Sequence, residues 1–239
     1  MKKKAVIAGL AAALMSLPIP AYAQSQPQSP RIIVVGEGES TMKPDLAILS
    51  LSVMREAATA REAMSANNDA MAAVISAMKQ SGIADRDLQT AGIQIAPRYN
   101  YNNKPDGSQE AQLVAYQVTN TITIRVRDLA KTGEIIDKSV TLGVNQGGNV
   151  SFANDNPEPA VTEARKKAVA NAMEKAKTLA EAAGVSLGKV IEMSETNYGQ
   201  QPMPIVAKAF AADAAGAAPV EAGENAYHVQ VNMTFELQQ

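Results

Sequence analysis

The sequence contains no cysteine and only one histidine, His228, among its 239 residues. Without cysteine there is no thiol nucleophile, no cysteine-ligated metal or iron–sulfur centre and no disulfide, so packing alone must hold the fold. With one histidine, serine–histidine catalysis and histidine-rich zinc chemistry lack their partners. Beyond residue 23 there is also no run of 18 apolar residues, which leaves no candidate for a membrane-spanning helix.

The longest apolar stretch opens the chain. Lys2, Lys3 and Lys4 precede an apolar run from Ala5 to Leu17, and Ala21-Tyr22-Ala23 has the form of an A-x-A cleavage site. Residues 1–23 are therefore expected to be a signal peptide, removed on export. Losing three lysines changes 22 basic against 24 acidic residues into 19 against 24, a formal charge near −5. A mildly acidic chain of this kind is not expected to bind nucleic acid. Residues 24–30 read as a polar, proline-containing tether. Residues 31–239 are long enough for one domain with an ample core.

The most explicit element is a helix from Asn156 to Gly184. Pro157 suits its first turn, Asn156 can cap it, and Gly184 can take the left-handed conformation that ends it. Val161, Ala164, Ala168, Ala172, Ala176, Leu179 and Ala183 form a stripe of small residues suited to close packing on a sheet. A second helix starts at a capping box, Thr59 with Glu62, runs through Ala60, Met64, Asn67, Met71, Val74 and Met78, and ends at Gly82. Asn67 is expected to be hydrogen-bonded at the edge of the core. A third helix runs from Asp128 to about Thr141 and buries Leu129, Ile135, Ile136 and Val140.

Strict alternation marks three strands. They are Ala47 to Val53, Tyr116 to Arg127 and Val229 to Leu237. Weaker signals place strands at Arg31 to Gly36, Leu88 to Ile95, Val150 to Ala153 and Lys189 to Glu195. Gly36-Glu37-Gly38-Glu39 is expected to break the first of these, and Pro97 to Gln112 reads as a turn-rich excursion. The fold class is α+β: an antiparallel sheet with helices on one face, in two loosely similar strand–helix–strand–strand halves. Tyr198 to Asn225 is too long and too rich in alanine and proline for an ordinary loop. Met203, Ile205, Val206 and Phe210 make it a candidate oligomer-contact arm.

No catalytic constellation stands out. Glu37, Glu39 and Asp45 could imitate an acid–base pair, but Glu37 and Glu39 read as exposed edge charges. Gly36-Glu37-Gly38 lacks the remaining residues of a phosphate loop. Asn154-Asp155-Asn156 with Glu158 offers oxygen ligands, yet the spacing is not that of an EF-hand and capping explains it. Arg165-Lys166-Lys167 reads as a solvated helix face, and His228 as exposed. No cofactor and no metal are expected.

Several of these residues together resemble the SIMPL-domain proteins. They are Gly36-Glu37-Gly38, Pro44-Asp45-Leu46-Ala47, Gly82-Ile83, Asp87-Leu88-Gln89-Thr90, Tyr116, Glu163-Ala164-Arg165, Lys175-Ala176, Leu179-Ala180, Leu187-Gly188, Pro219, Glu221, Gly223 and Phe235. The resemblance spans the chain after the leader and is greatest to exported bacterial members. It implies an α+β fold, a periplasmic or envelope location that extends to outer-membrane association, self-association into a homo-oligomer, surface antigenicity and a link with oxidative-stress tolerance. It implies no catalytic residue set. The expected function is that of a non-enzymatic, self-associating periplasmic protein. The alternative is a monomeric binding module for an envelope ligand or client, seated on the face of Gln117, Thr119, Thr121, Thr123 and Arg125.

Overall fold

In a computed structural model of the chain, residues 29–105, 107–196, 203–205 and 220–238 are described. The expected leader, most of the tether, Val206 and Phe210 lie outside them. The fold is α+β with antiparallel sheets. The strands form two four-stranded sheets, each with its own core and its own helices.

The first sheet contains β1 (Arg31–Met42), β6 (Ser186–Thr196), β7 (Met203–Ile205) and β8 (Glu224–Gln238). Its central strand is β8, paired antiparallel with β1 from Arg31↔Glu236 to Met42↔Asn225. On its other side β8 pairs with β6 and β7. The second sheet has the order β3 (Leu88–Asn103), β4 (Gln109–Val126), β2 (Leu46–Ala57), β5 (Gln146–Ala153). It is built from one continuous stretch of chain, whereas the first sheet joins the two ends of the described chain.

Helices α1 (Ala60–Gln80) and α2 (Thr132–Thr141) pack on the second sheet. The expected alternation of β2 and β4 supplies that core, with Leu49, Val53, Val118, Ile122 and Ile124 fully buried. The Thr59–Glu62 capping box forms as its spacing predicts, each side chain accepting the other's backbone N–H at 3.2 Å. The inner stripe of α1 is rotated slightly from expectation, since Ala63 and Ala77 are buried and Ala60 and Met64 only half-buried. Asn67 is bonded as expected but lies deeper, its Nδ2 donating to the carbonyls of Val53 at 2.7 Å and Val118 at 3.1 Å. The stretch after Asp128 begins as a short 3-10 turn, Leu129–Lys131, before α2. Val140 faces solvent, and Thr132, Gly133 and Ser139 take the buried positions instead.

Helix α3 (Glu158–Ala182) covers the first sheet. Asn156 Oδ1 accepts the backbone N–H of Glu158, and Gly184 has a φ of 70° beyond the last turn. The buried row is Ala160, Ala164, Ala168, Ala172, Ala176 and Ala180, with Val161 beside it. From Ala160 onward it keeps steps of four, so the stripe winds around the helix axis, as a helix crossing a twisted sheet requires. Leu179 and Ala183 therefore fall outside the stripe.

Two further sequence expectations are overturned. Gly36-Glu37-Gly38-Glu39 does not break a strand, because β1 runs straight through it. A Cβ on Gly36 would overlap the carbonyl of Ala168 and the Ala172 methyl, and one on Gly38 would overlap the carbonyl of Ala164. These glycines are the bed in which the alanine stripe lies. The Pro97–Gln112 stretch is not a turn-rich excursion but the outer half of a long hairpin. Strands β3 and β4 pair as far as Asn103↔Gln109, and only Lys104 to Ser108 turns.

Candidate functional site

The two sheet units meet at a polar joint centred on Asn154, at the end of β5. Asn154 Nδ2 donates to the Lys43 carbonyl at 2.6 Å. Its Oδ1 accepts from Tyr227 OH at 2.8 Å and from Asn225 Nδ2 at 3.0 Å. Asn225 Nδ2 also reaches the Phe152 carbonyl at 3.3 Å. Burial pushes the Tyr227 phenol up, so the hydroxyl stays protonated and keeps donating. Residues from both ends of the chain and from the middle unit are thus tied through one buried amide.

Beside the joint, Arg127 is held by two carboxylates. Its Nε and Nη2 donate to both oxygens of buried Asp87 at 3.0 and 3.1 Å, and Nη1 donates to Asp155 at 2.8 Å. Hydrogen bonding to Arg127 pulls both carboxyls below the usual range, and the Arg127 guanidinium is held protonated in return. A depression of about 200 Å³ opens here, lined by Ile83, Arg86, Arg125 and Lys131 among others. The strongest charges around it are already matched to one another.

The residues singled out in the sequence do not converge on a reaction centre. Glu37 and Glu39 lie on the outer side of β1, and Glu39 faces exposed His228 across the strand pair at 3.7 Å. Asp45 belongs to the joint, its Oδ1 accepting the Asp155 N–H at 2.8 Å. Of the suggested oxygen ligands, Asn154 serves the joint, Asp155 binds Arg127, Asn156 caps α3, and Glu158 pairs with Arg165 at 2.8 Å. Among the described residues no group of three or more histidines, cysteines and carboxylates is placed to share a metal ion.

What the structure does bring together is exposed apolar surface along three strands. On β3 and β4, Ile93, Ile95, Tyr99, Tyr101, Leu113 and Val114 are exposed, and on β6 so are Val190, Ile191 and Met193. An apolar cleft of about 610 Å³ separates β6 from the second half of α3, lined by Met173, Ala180, Val185 and Leu187. Of the expected contact arm, Met203 and Ile205 belong to β7, opposite Ala226 and Glu224. The outer half of the stripe on β3 is masked in the sequence because Pro97, Asn100, Asn102, Asn103, Pro105 and Gly107 carry turn and loop propensity. Its signal was the alternation of Ile93, Ile95, Tyr99 and Tyr101 with Gln94, Arg98, Asn100 and Asn102.

The polar face of the second sheet is regular. Thr119, Thr121 and Thr123 stand opposite Met54, Ser52 and Ser50, and the hydroxyls of Ser52 and Thr121 bond at 2.8 Å. Gln117 and the three threonines are half-buried and Arg125 is exposed.

Comparison with known proteins gives a consistent picture. Residues 32–235 match the SIMPL family model, described as a protein of unknown function (DUF541). The 26 kDa periplasmic immunogenic protein of Brucella melitensis is 53% identical over 226 residues, which cover 92% of this chain and 90% of that protein. The protein of the same name from Brucella abortus matches equally. The uncharacterized protein YggE of Escherichia coli K12 is 29% identical over 230 residues, 95% of this chain and 92% of its own length.

Proposed function

The chain belongs to the SIMPL family, and from that premise we propose that it is a non-enzymatic periplasmic protein that works as a homo-oligomer. Its role is in envelope or oxidative-stress tolerance, with antigenicity as a consequence of its location. The periplasmic assignment is supported by the name of the Brucella relatives and by the expected leader. No helix among the described residues is long and apolar enough to cross a membrane.

The observation that carries self-association is the placement of the exposed apolar side chains. They concentrate on β3, β4 and β6, where β3 and β6 are the end strands of their sheets, and a further apolar surface there is an invitation to pair. The non-catalytic reading is supported by the way Asp87, Asp155 and Arg127 are consumed by one another, and by the dispersal of Glu37, Glu39, Asp45 and His228. Light scattering on eluting residues 24–239, over a range of concentration and salt, tests the oligomer. A discrete multi-subunit mass is expected, and a monomer throughout would overturn the reading. Deleting residues 200–218 then measures what the Met203, Ile205, Val206 and Phe210 segment adds to that mass.

A second reading is favoured by the hydroxyl-rich face of Thr119, Thr121, Thr123, Ser50 and Ser52. It is a monomeric binding module for an envelope ligand or client. A thermal-shift screen with sugars, metals and peptidoglycan fragments would reveal stabilisation if this is right, and a flat response would remove it.

A further inference from the structure

We propose that two copies of this chain join through the free margin of β3, the strands lying antiparallel about a two-fold axis so that their apolar stripes run side by side. This rests on the self-association reading above and names its contact.

The stripe is long and continuous. From Ile93 to Tyr101 the odd positions carry Ile93, Ile95, Pro97, Tyr99 and Tyr101, and the even ones Gln94, Ala96, Arg98, Asn100 and Asn102. The four isoleucine and tyrosine side chains are 45–61% exposed. Tyr99 stands opposite Leu113, and Val114 is the extra residue of a bulge beside them. Together with Leu113 and Val114 they leave on the order of 600 Å² uncovered. An extra residue on β3 near Gly92 is offset by the extra Val114 on β4, so the original register returns towards the tip.

The backbone edge beside the stripe is open. In the other sheet the margin of β1 is guarded, since Lys175 Nζ donates to the Val35 carbonyl, Lys167 Nζ to the Glu39 carbonyl, and Asn171 Oδ1 accepts the Glu37 N–H. Among the described residues no side chain does this for β3, and Leu88–Asn103 contains no lysine. Pro97, which has no N–H to give, and the extra residue near Gly92 interrupt this margin, so Arg98 to Asn103 is the stretch left as a template for another strand.

The occupant follows from charge and from where the apolar residues sit. The tip is polar, with Asn102, Asn103 and the Lys104–Glu110 pair at 3.2 Å, so the apolar stem cannot enter a bilayer tip first. Arg98 is matched by Glu56 at 3.2 Å, which leaves the ribbon without a net charge to draw a charged partner. A second β3 offers the same apolar stripe, the same neutral surface and complementary backbone groups, and an isologous pairing satisfies both edges at once.

The test uses residues 24–239 and the absence of native cysteine. Ile95→Lys with Tyr101→Lys, both at exposed positions, should lower the mass by light scattering at least two-fold with unchanged circular dichroism. Independently, single cysteines placed in turn at Gln94, Ala96, Arg98 and Asn100 should give a disulfide-linked dimer under mild oxidation only at the position nearest the two-fold axis, with Met193→Cys as the comparison. A multi-subunit wild type whose mass ignores the lysines, with no crosslinks on β3, overturns the β3 contact and leaves self-association standing. A wild type that is monomeric throughout overturns both. Co-flotation of the wild type with phosphatidylethanolamine–phosphatidylglycerol vesicles, lost in the lysine variant, would assign the stripe to lipid and overturn the proposal.

Discussion

Gly38 lies directly against the backbone carbonyl of Ala164, with no room between them for even a methyl group. Gly36 has the same relation to Ala168 one helical turn along. The contact is backbone to backbone, so it cannot be relieved by rotating a side chain. Gly38→Ala should destabilise the protein by about 3 kcal/mol or more, at or beyond the upper range for overpacking. Gly36→Ala should behave alike. Urea denaturation measures both, and a loss under about 1 kcal/mol would show that α3 can lift without cost.

Helix α3 also serves the edge of β1. Its residues Lys167, Asn171 and Lys175 are spaced by four, about 6 Å along a helix, and meet Glu39, Glu37 and Val35, spaced by two, about 6.6 Å along a strand. The near match lets three successive side chains reach three successive outward groups. Replacing all three with alanine should leave the helix content unchanged and make the protein associate further as its concentration rises. Light scattering across a dilution series checks this, and an unchanged mass distribution would mean the edge needs no guard.

Acid should loosen the Arg127 cluster that lies beside the joint. Asp87 and Asp155 both titrate below the ordinary carboxylate range because Arg127 hydrogen-bonds them. A lowered folded-state value means their stabilising contribution is complete above the unfolded value of about 4, and is lost as pH falls further. The melting temperature should therefore be level from about pH 5 to 7 and fall below about pH 4. In Arg127→Gln the melting temperature should be lower at neutral pH and the acid limb shallower. An acid limb of unchanged slope in that variant would place the proton uptake elsewhere.

Asn154 supplies a donor and two acceptor bonds within one buried amide. Asn154→Ala strands the Lys43 carbonyl and the polar groups of Asn225 and Tyr227, at a cost of about 3 kcal/mol. Asn154→Asp keeps the acceptor but loses the donor to Lys43, so it should fall between alanine and the wild type. If alanine is as stable as asparagine, water replaces the amide there and the joint is softer than its hydrogen bonds imply.

The parts of the fold legible in the sequence are those governed by neighbours along the chain. The alternation of β2, β4 and β8, the Thr59–Glu62 box and the limits of α3 each rest on contacts within a few residues or on a period set by one element's geometry. Leu179 was misplaced because a period of 3.6 allows steps of three or four, and only the sheet's twist selects among them. The outer half of β3 was hidden because its Asn and Pro residues have turn propensities, which the 14 paired positions shared with β4 override. Asn154 read as part of a helix-capping cluster, since its partners lie 71 to 111 residues away.

By itself the sequence determined the α+β class, the small-residue face of α3 and the exclusion of thiol chemistry, because composition and period act locally. Tertiary structure alone decided that the strands divide into two sheets, that Gly36 and Gly38 are a helix bed rather than a turn, and that β3 keeps an open apolar margin. Each of these depends on which distant segment arrives beside a strand. A glycine in a strand and a glycine in a turn are the same residue until a helix comes to rest on one of them.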